Sequence, residues 1–250
     1  MRMEWRDEGL VLGVRKHGEQ SVILEAMTRG RGRHLGLVRG GRSARLSAAL
    51  QPGNTLGLVW RARLDEHLGA FAVEPIALRA GRLIGSALAL AGINYVGALA
   101  RLLPERDPHE EVYDALTLIA ESLDDAALAP ALVVRFEAQI LAECGFRLDL
   151  SCCAATGGRE NLVYVSPKSG RAVSAAAGAA WKDRLLPLPS FLREAARLGV
   201  AQPSAAEVAE GFRLTGHFLA RDLFAGRGEP LPEARRVFLA AAAREASPQA

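Results

Sequence analysis

Apolar residues recur at strand spacing in the first third of the chain and at helical spacing in the rest. Within residues 8–76, Leu10–Val14, Ser21–Ala26, Leu35–Val38, Thr55–Arg61 and Leu68–Val73 are short runs rich in Leu, Val and Ile. Turn chemistry separates them: Lys16-His17-Gly18, the glycine hairpin Arg29–Arg33, Gly40-Gly41, Gln51-Pro52-Gly53-Asn54 and Asp65-Glu66-His67. The pattern predicts five strands, with one or two helical turns over Ser43–Leu50 between the third and the fourth. A five-stranded Greek-key barrel of the OB type fits that order, and on pattern alone so does another small barrel or sandwich of the same strand count.

After Pro75 the period changes to that of helices over 82–103, 110–123 and 131–144, the last placing Leu132, Val133, Phe136, Ile140 and Leu141 on one face with Gly145 just past its end. Ser190–Leu198, Ser204–Phe224 and Pro232–Arg244 read the same way, and Ser204 with Glu207 spells a capping box behind Pro203. The expected fold class is therefore α+β in two domains, a barrel over 1–78 and a helical domain over 79–250. An insert at about 146–180 interrupts the helices, with Leu162–Val165 and Arg171–Val173 expected to pair as a hairpin.

Charge changes this picture. The net formal charge is only +3, but residues 1–80 hold 13 Lys and Arg against 8 Asp and Glu, while the remaining 170 hold 18 against 20. Between 29 and 45 stand Arg29, Arg31, Arg33, Arg39, Arg42 and Arg45, with five glycines and no acidic residue among them. Guanidinium groups fork onto phosphate oxygens and glycine lets a backbone turn tightly or approach a ligand. The segment thus points to a polyanion, nucleic acid first, with Lys16 of the preceding turn as a further contact; a solvated arginine hairpin is the plainer reading.

Enzyme signatures are absent: there is no phosphate-loop sequence, no H-E-x-x-H and no G-x-S-x-G. His17, His34, His67, His109 and His217 are scattered singly, and Glu110-Glu111 and Asp124-Asp125 sit where helix ends are expected. Trp5, Trp60 and Phe71 read as core residues rather than base platforms, so nucleic-acid affinity is expected to come from phosphate contacts. Cys144, Cys152 and Cys153 make no disulfide framework, and no stretch has the length of a signal peptide or a membrane span, so a cytoplasmic protein is expected. The insert has the outline of a zinc knuckle without its ligands: vicinal Cys152-Cys153 cannot present a C-x-x-C pair, and Ser166-x-x-Ser169 stands where a second pair belongs. No metal and no cofactor are expected.

Several segments together resemble a known family. The order of a basic OB-like barrel, the L-V-R-G-G-R-S that ends at Ser43, L-Q-P-G at 50–53, R-F-E-A-Q-I-L-A-E-C-G-F at 135–146 and the cysteine-entered insert resemble the bacterial recombination mediator RecO over about residues 5–240. The resemblance implies an N-terminal OB domain and a helical domain with a zinc-finger-like insert. It implies binding of single- and double-stranded DNA, annealing of complementary strands, and, with RecR and often RecF, loading of RecA onto gaps covered by single-stranded-DNA-binding protein. Some members hold zinc through four cysteines, of which this chain keeps two. Arg135, beside the apolar face of its helix, is the expected contact for the acidic tail of single-stranded-DNA-binding protein; an internal salt bridge to Glu137 or Asp149 is the alternative. Two other functions stay open: an adaptor that binds RNA or an acidic protein through the arginine hairpin, and an enzyme built from scattered residues such as His217 with Asp222.

Overall fold

The computed structural model describes residues 3–193 and 202–246. Contacts divide the chain into two compact units, Met1–Asp125 with Ala234–Ala241, and Ala126–Glu233 with Ala242–Ala250.

The first unit opens with β1 (Met3–His17), β2 (Ser21–Thr28), β3 (Gly32–Val38), the short helix α1 (Ala44–Ala49), β4 (Thr55–Ala62) and β5 (Ala70–Ala77). These strands close into a barrel in the order β1-β2-β3-β5-β4. β1 is long enough to serve two partners: Met3–Leu10 pairs with β4 and Gly9–His17 with β2, both antiparallel. Closure comes where β3 and β5 run parallel at Leu37 and Ala70. Leu24, Ala26, Val38, Leu56, Leu58, Trp60 and Phe71 fill the interior, alternating with outward residues as a half-buried strand requires. Half-buried Trp5 stacks on Trp60 at 5.6 Å across the β1–β4 pair.

The buried Asn54 side chain ties α1 to the backbone just beyond β5. Its amide donates to the carbonyls of Ala48 and Ala49 at 3.0 and 2.9 Å, and its oxygen accepts from the backbone of Arg79 and Ala80 at 2.8 and 2.9 Å. Every hydrogen-bonding capacity of the amide is used, which is how a polar side chain is tolerated there. The helix expected over 82–103 is broken at Gly85 into α2 (Ala80–Ile84) and α3 (Ala87–Ala100), the second capped by Ser86. Next comes α4 (Glu110–Ser122), and in the same unit Phe238 stacks on Tyr95 at 6.2 Å.

In the second unit, α5 (Ala129–Glu143) leads into a three-stranded sheet of β6 (Leu162–Val165), β7 (Ala172–Ser174) and β8 (Leu186–Pro187), ordered β7-β6-β8. The β6–β7 hairpin is the one the sequence predicts. α6 (Ala175–Gly178) and a tight helical turn over Ala179–Arg184 bridge β7 to β8. The helix expected over 190–198 is helical at α7 (Ser190–Arg193), and its remainder lies outside the described residues. α8 (Ala205–Phe218) begins at the predicted capping box of Ser204 and Glu207, continues as a wider turn over Leu219–Phe224, and α9 (Glu233–Ala246) ends the described chain. No helix among the described residues is long and apolar enough to cross a membrane.

Candidate nucleic-acid interface

The six arginines do not form one patch. Arg29, Arg31 and Arg33 flank the β2–β3 turn, whereas Arg39, Arg42 and Arg45 come after the far end of β3. A strand advances roughly 3.3 Å per residue, so β3 holds the two groups about 20 Å apart.

The first group is largely spoken for. Arg29 meets Glu110 at 2.9 Å, Asp114 at 3.2 Å and Glu8 at 3.7 Å. Glu110 and Asp114 lie one helical turn apart at the start of α4, where carboxylates also favour the positive end of the helix dipole. Arg33 is more enclosed: it bonds Glu25 at 2.8 Å, lies 3.5 Å from Glu105 and donates to the Leu103 carbonyl at 3.1 Å. Arg101 takes the other oxygen of Glu25 at 2.8 Å. Gly32 adopts a φ of +67°, and a Cβ there would stand 1.8 Å from the Asp107 carbonyl. The glycine therefore admits the chain's own backbone. Arg31 alone of the three is exposed, its guanidinium 5.9 Å from the centre of the Trp5 ring. The carboxylates that neutralise this turn come from far along the sequence, which is why the segment read in isolation looks uncompensated.

At the other end, Arg39, Arg42 and Arg45 are exposed and no carboxylate among the described residues lies within ion-pairing distance of them. Arg42 donates its backbone N–H to the Gln20 carbonyl at 3.2 Å and its guanidinium to the Glu19 carbonyl. That seats the Arg39–Arg45 loop against the β1–β2 turn, where Arg15 and Lys16 are exposed and Glu19 is the acidic neighbour. Arg39 also walls a cavity of about 480 Å³ lined by Leu46, Val59, Arg61, Phe71 and Val73. A second hollow of about 340 Å³ shares Val59, Ala72 and Val73 and continues to Arg6. Arg6 and Arg61 were not singled out from the sequence. Their signal lies in the β1–β4 register, which sets Arg6 opposite Val59 and Glu4 opposite Arg61 on the outer face, with Arg61 bonded to Glu4 at 2.8 Å. The surface offers guanidinium groups above an apolar floor that includes one edge of the otherwise buried Phe71; Trp60 is fully buried, and both are core residues as expected.

The remaining candidates fall elsewhere. Arg135 is half-buried, donates to the Phe191 carbonyl at 3.1 Å and lies 5.9 Å over the Phe191 ring. Phe136 and Ile140 are core residues and Leu132 is half-buried, so among the described residues this apolar face packs inward rather than forming an exposed notch beside Arg135. Of the two carboxylates weighed as internal partners for Arg135, Asp149 pairs with Arg171 at 3.3 Å and buried Glu137 accepts from the Thr215 hydroxyl. His217 contacts the Pro167 carbonyl at 3.2 Å while Asp222 is held by Arg221 at 2.6 Å, and no bond joins the two as a catalytic pair would need. Cys153 is buried with its thiol held down to about 6 by hydrogen bonds from Ser174 first and then Thr156, whereas burial pushes Cys144 up. Cys152 faces Arg171 at 4.0 Å. Among the described residues no group of three or more His, Cys, Asp or Glu is placed to hold a metal ion, so the donor set does not fit a four-ligand zinc site.

Comparison with known proteins matches residues 1–79 to the family described as recombination protein O, N terminal, and residues 85–229 to recombination protein O, C terminal. The DNA repair protein RecO of Methylocella silvestris is 63% identical over 238 residues, covering 95% of this chain and 95% of that protein. Its namesake in Methylobacterium nodulans is 61% identical over 240 residues, covering 95% and 97%, and that of Beijerinckia indica 57% identical over 242 residues, covering 97% and 96%.

Proposed function

Because the chain belongs to the recombination protein O family of DNA repair proteins, we propose that it is a non-enzymatic recombination mediator that binds single- and double-stranded DNA and anneals complementary strands. The observation that carries this reading is the set of exposed guanidinium groups at Arg39, Arg42 and Arg45, none ion-paired among the described residues, with the Arg39–Arg45 segment seated against the turn that carries Lys16 and with Arg39 walling the groove that Arg61 also lines. The barrel serves as an OB-type module over 1–78, and the helical region over 79–250 as the part that meets protein partners. Arg31 extends the DNA surface; Arg29 and Arg33 act indirectly, by fixing the β2–β3 turn.

The physics suits annealing. Two strands must lose their phosphate repulsion while their base edges stay free for each other, and arginines above a floor without exposed aromatic rings do that. No nucleotide hydrolysis enters this role. RecR, the tail of single-stranded-DNA-binding protein and RecF are the partners this reading expects, with RecA loaded onto the gaps so cleared. Arg135 contributes to tail binding only by positioning Phe191 and its neighbours.

The test is annealing of complementary oligonucleotides with and without single-stranded-DNA-binding protein bound. The reading expects acceleration in both, falling as salt rises; no acceleration at low salt refutes it. An adaptor that prefers RNA would instead bind RNA more tightly than DNA of the same sequence.

A further inference from the structure

Just past the insert one aromatic ring stands well out in solvent, more so than Phe146 at the insert's start, which is 42% exposed. Trp181 is 57% exposed, whereas Trp60 is fully buried and Trp5 half-buried inside the barrel. Leaving an indole in water forgoes a large burial gain, so a ring held there on a fixed support has something to meet. The support is firm. Ser174 caps the preceding turn by accepting from the Ala177 N–H at 3.4 Å, and a Cβ on Gly178 would stand 2.6 Å from the Tyr164 ring, so the backbone lies flat on that tyrosine. Immediately beyond the turn, β8 pairs with β6. No residue of Ala179–Arg184 is itself buried, so the turn stands on the sheet and projects its side chains outward.

Charge identifies the occupant. Lys182 and Arg184 follow the ring in sequence, with Asp183 between them, and the Arg184 guanidinium lies over one face of the ring, 5.7 Å from its centre. Residues 146–187 hold six Lys and Arg against three Asp and Glu, while the other residues of 81–250 hold twelve against seventeen. Within the second unit alone, the residues outside 146–187 hold seven Lys and Arg against nine Asp and Glu, so its basic excess lies in the segment that ends at this turn. We propose that Trp181, with Lys182 and Arg184, is a stacking platform for an unpaired base of single-stranded DNA, an inference that rests on the DNA-binding reading above. The indole face away from Arg184 takes the base, and the two cations take the adjoining phosphates. Bases in a duplex are already stacked on their neighbours and offer no free face, so the platform favours single strands.

Full-length wild type, Trp181→Ala and Trp181→Phe are titrated with oligothymidylate, with an abasic strand of equal length and with duplex, after circular dichroism and melting confirm equal folding. Trp181→Ala should weaken oligothymidylate binding about tenfold, with Phe restoring most of it, because one lost base stack is worth roughly that factor. Abasic strand and duplex should change by less than about twofold, since their phosphate contacts remain. Binding of oligothymidylate should quench tryptophan emission in wild type and lose most of that quench in Trp181→Ala. Equal oligothymidylate affinity in the three proteins overturns the platform while leaving DNA binding intact, and assigns the ring to a protein partner. An equal loss on all three ligands overturns it as well, since a base contact cannot act on an abasic strand. Wild type that binds none of them sinks both this inference and the function it rests on.

Discussion

His34 gives the barrel a dependence on pH that the structure allows to be worked out. The ring is 3% exposed and lies among Trp5 at 4.9 Å, Trp60 at 5.2 Å and Phe71 at 6.0 Å. Neither nitrogen has a hydrogen-bond partner among the described residues. Burial first, and then the nearby Arg106 charge, hold its pKa down from 6.5 to about 4. A base whose folded pKa is depressed takes its proton more readily unfolded, so stability is full above 6.5 and is lost as pH falls from there toward 4. Each pK unit corresponds to about 1.36 kcal/mol, which puts the whole loss at roughly 3 kcal/mol and the part between about pH 7 and pH 5 at roughly 2 kcal/mol. His34→Leu, of similar volume, removes both the proton site and the unpaired nitrogens. Urea titrations of the two proteins over that range, read by tryptophan emission, should give curves that diverge by roughly 2 kcal/mol as pH falls, the variant being the flatter. The variant should match or exceed wild type near neutrality, because it strands no polar atom. Carboxylate ion pairs weaken in acid in both proteins and cancel in the difference. Parallel curves would refute a dry, uncharged ring.

How far the sequence was legible depends on where the physical signal is local. Short apolar runs and Gly-rich turns predicted the five strands, and Ser204 with Glu207 predicted the start of α8, because strand alternation and helix caps are set within a few residues. The first part of β1 was not legible as a strand: Glu4, Arg6 and Glu8 face outward, and pairing with β4 is what carries Trp5, read as a core residue, into the barrel. β8 escaped notice for the same reason, being two residues that become a strand only against β6. For the arginines, the sequence showed where guanidinium groups are dense but not where their counter-charges are. Glu110 and Asp114 are some 80 residues from Arg29 in sequence and within hydrogen-bonding reach in space, and that distinction separates the ion-paired Arg29 and Arg33 from the exposed Arg31, Arg39, Arg42 and Arg45. The notch expected beside Arg135 failed because helical spacing marks an apolar face without saying whether another helix covers it; α8 packs against α5.

The remaining predictions test that division. Arg33→Ala should lower stability by about 2 kcal/mol in urea unfolding, since it leaves the enclosed Glu25 with Arg101 alone, and should leave the salt dependence of DNA binding unchanged. Gly32→Ala should cost more, because its Cβ would collide with the Asp107 carbonyl at a backbone angle that favours glycine; a melting temperature equal to wild type would contradict that packing. Prolonged EDTA treatment should leave the melting temperature unaltered, where removal of a structural zinc would cost roughly 10 kcal/mol of folding energy. Replacing Arg39, Arg42 and Arg45 together by Ala should leave folding intact, as all three are exposed and none is ion-paired among the described residues. Each phosphate contact on a single strand contributes roughly 0.7 to the slope of log K against log salt, so the triple variant should flatten that slope by about 2. Arg31→Ala, at the far end of β3, should flatten it by less than about 1 on a strand too short to reach both ends. An unchanged slope in the folded triple variant would take this end of the barrel out of the DNA path, and a loss confined to Arg31→Ala would move the path to the β2–β3 turn.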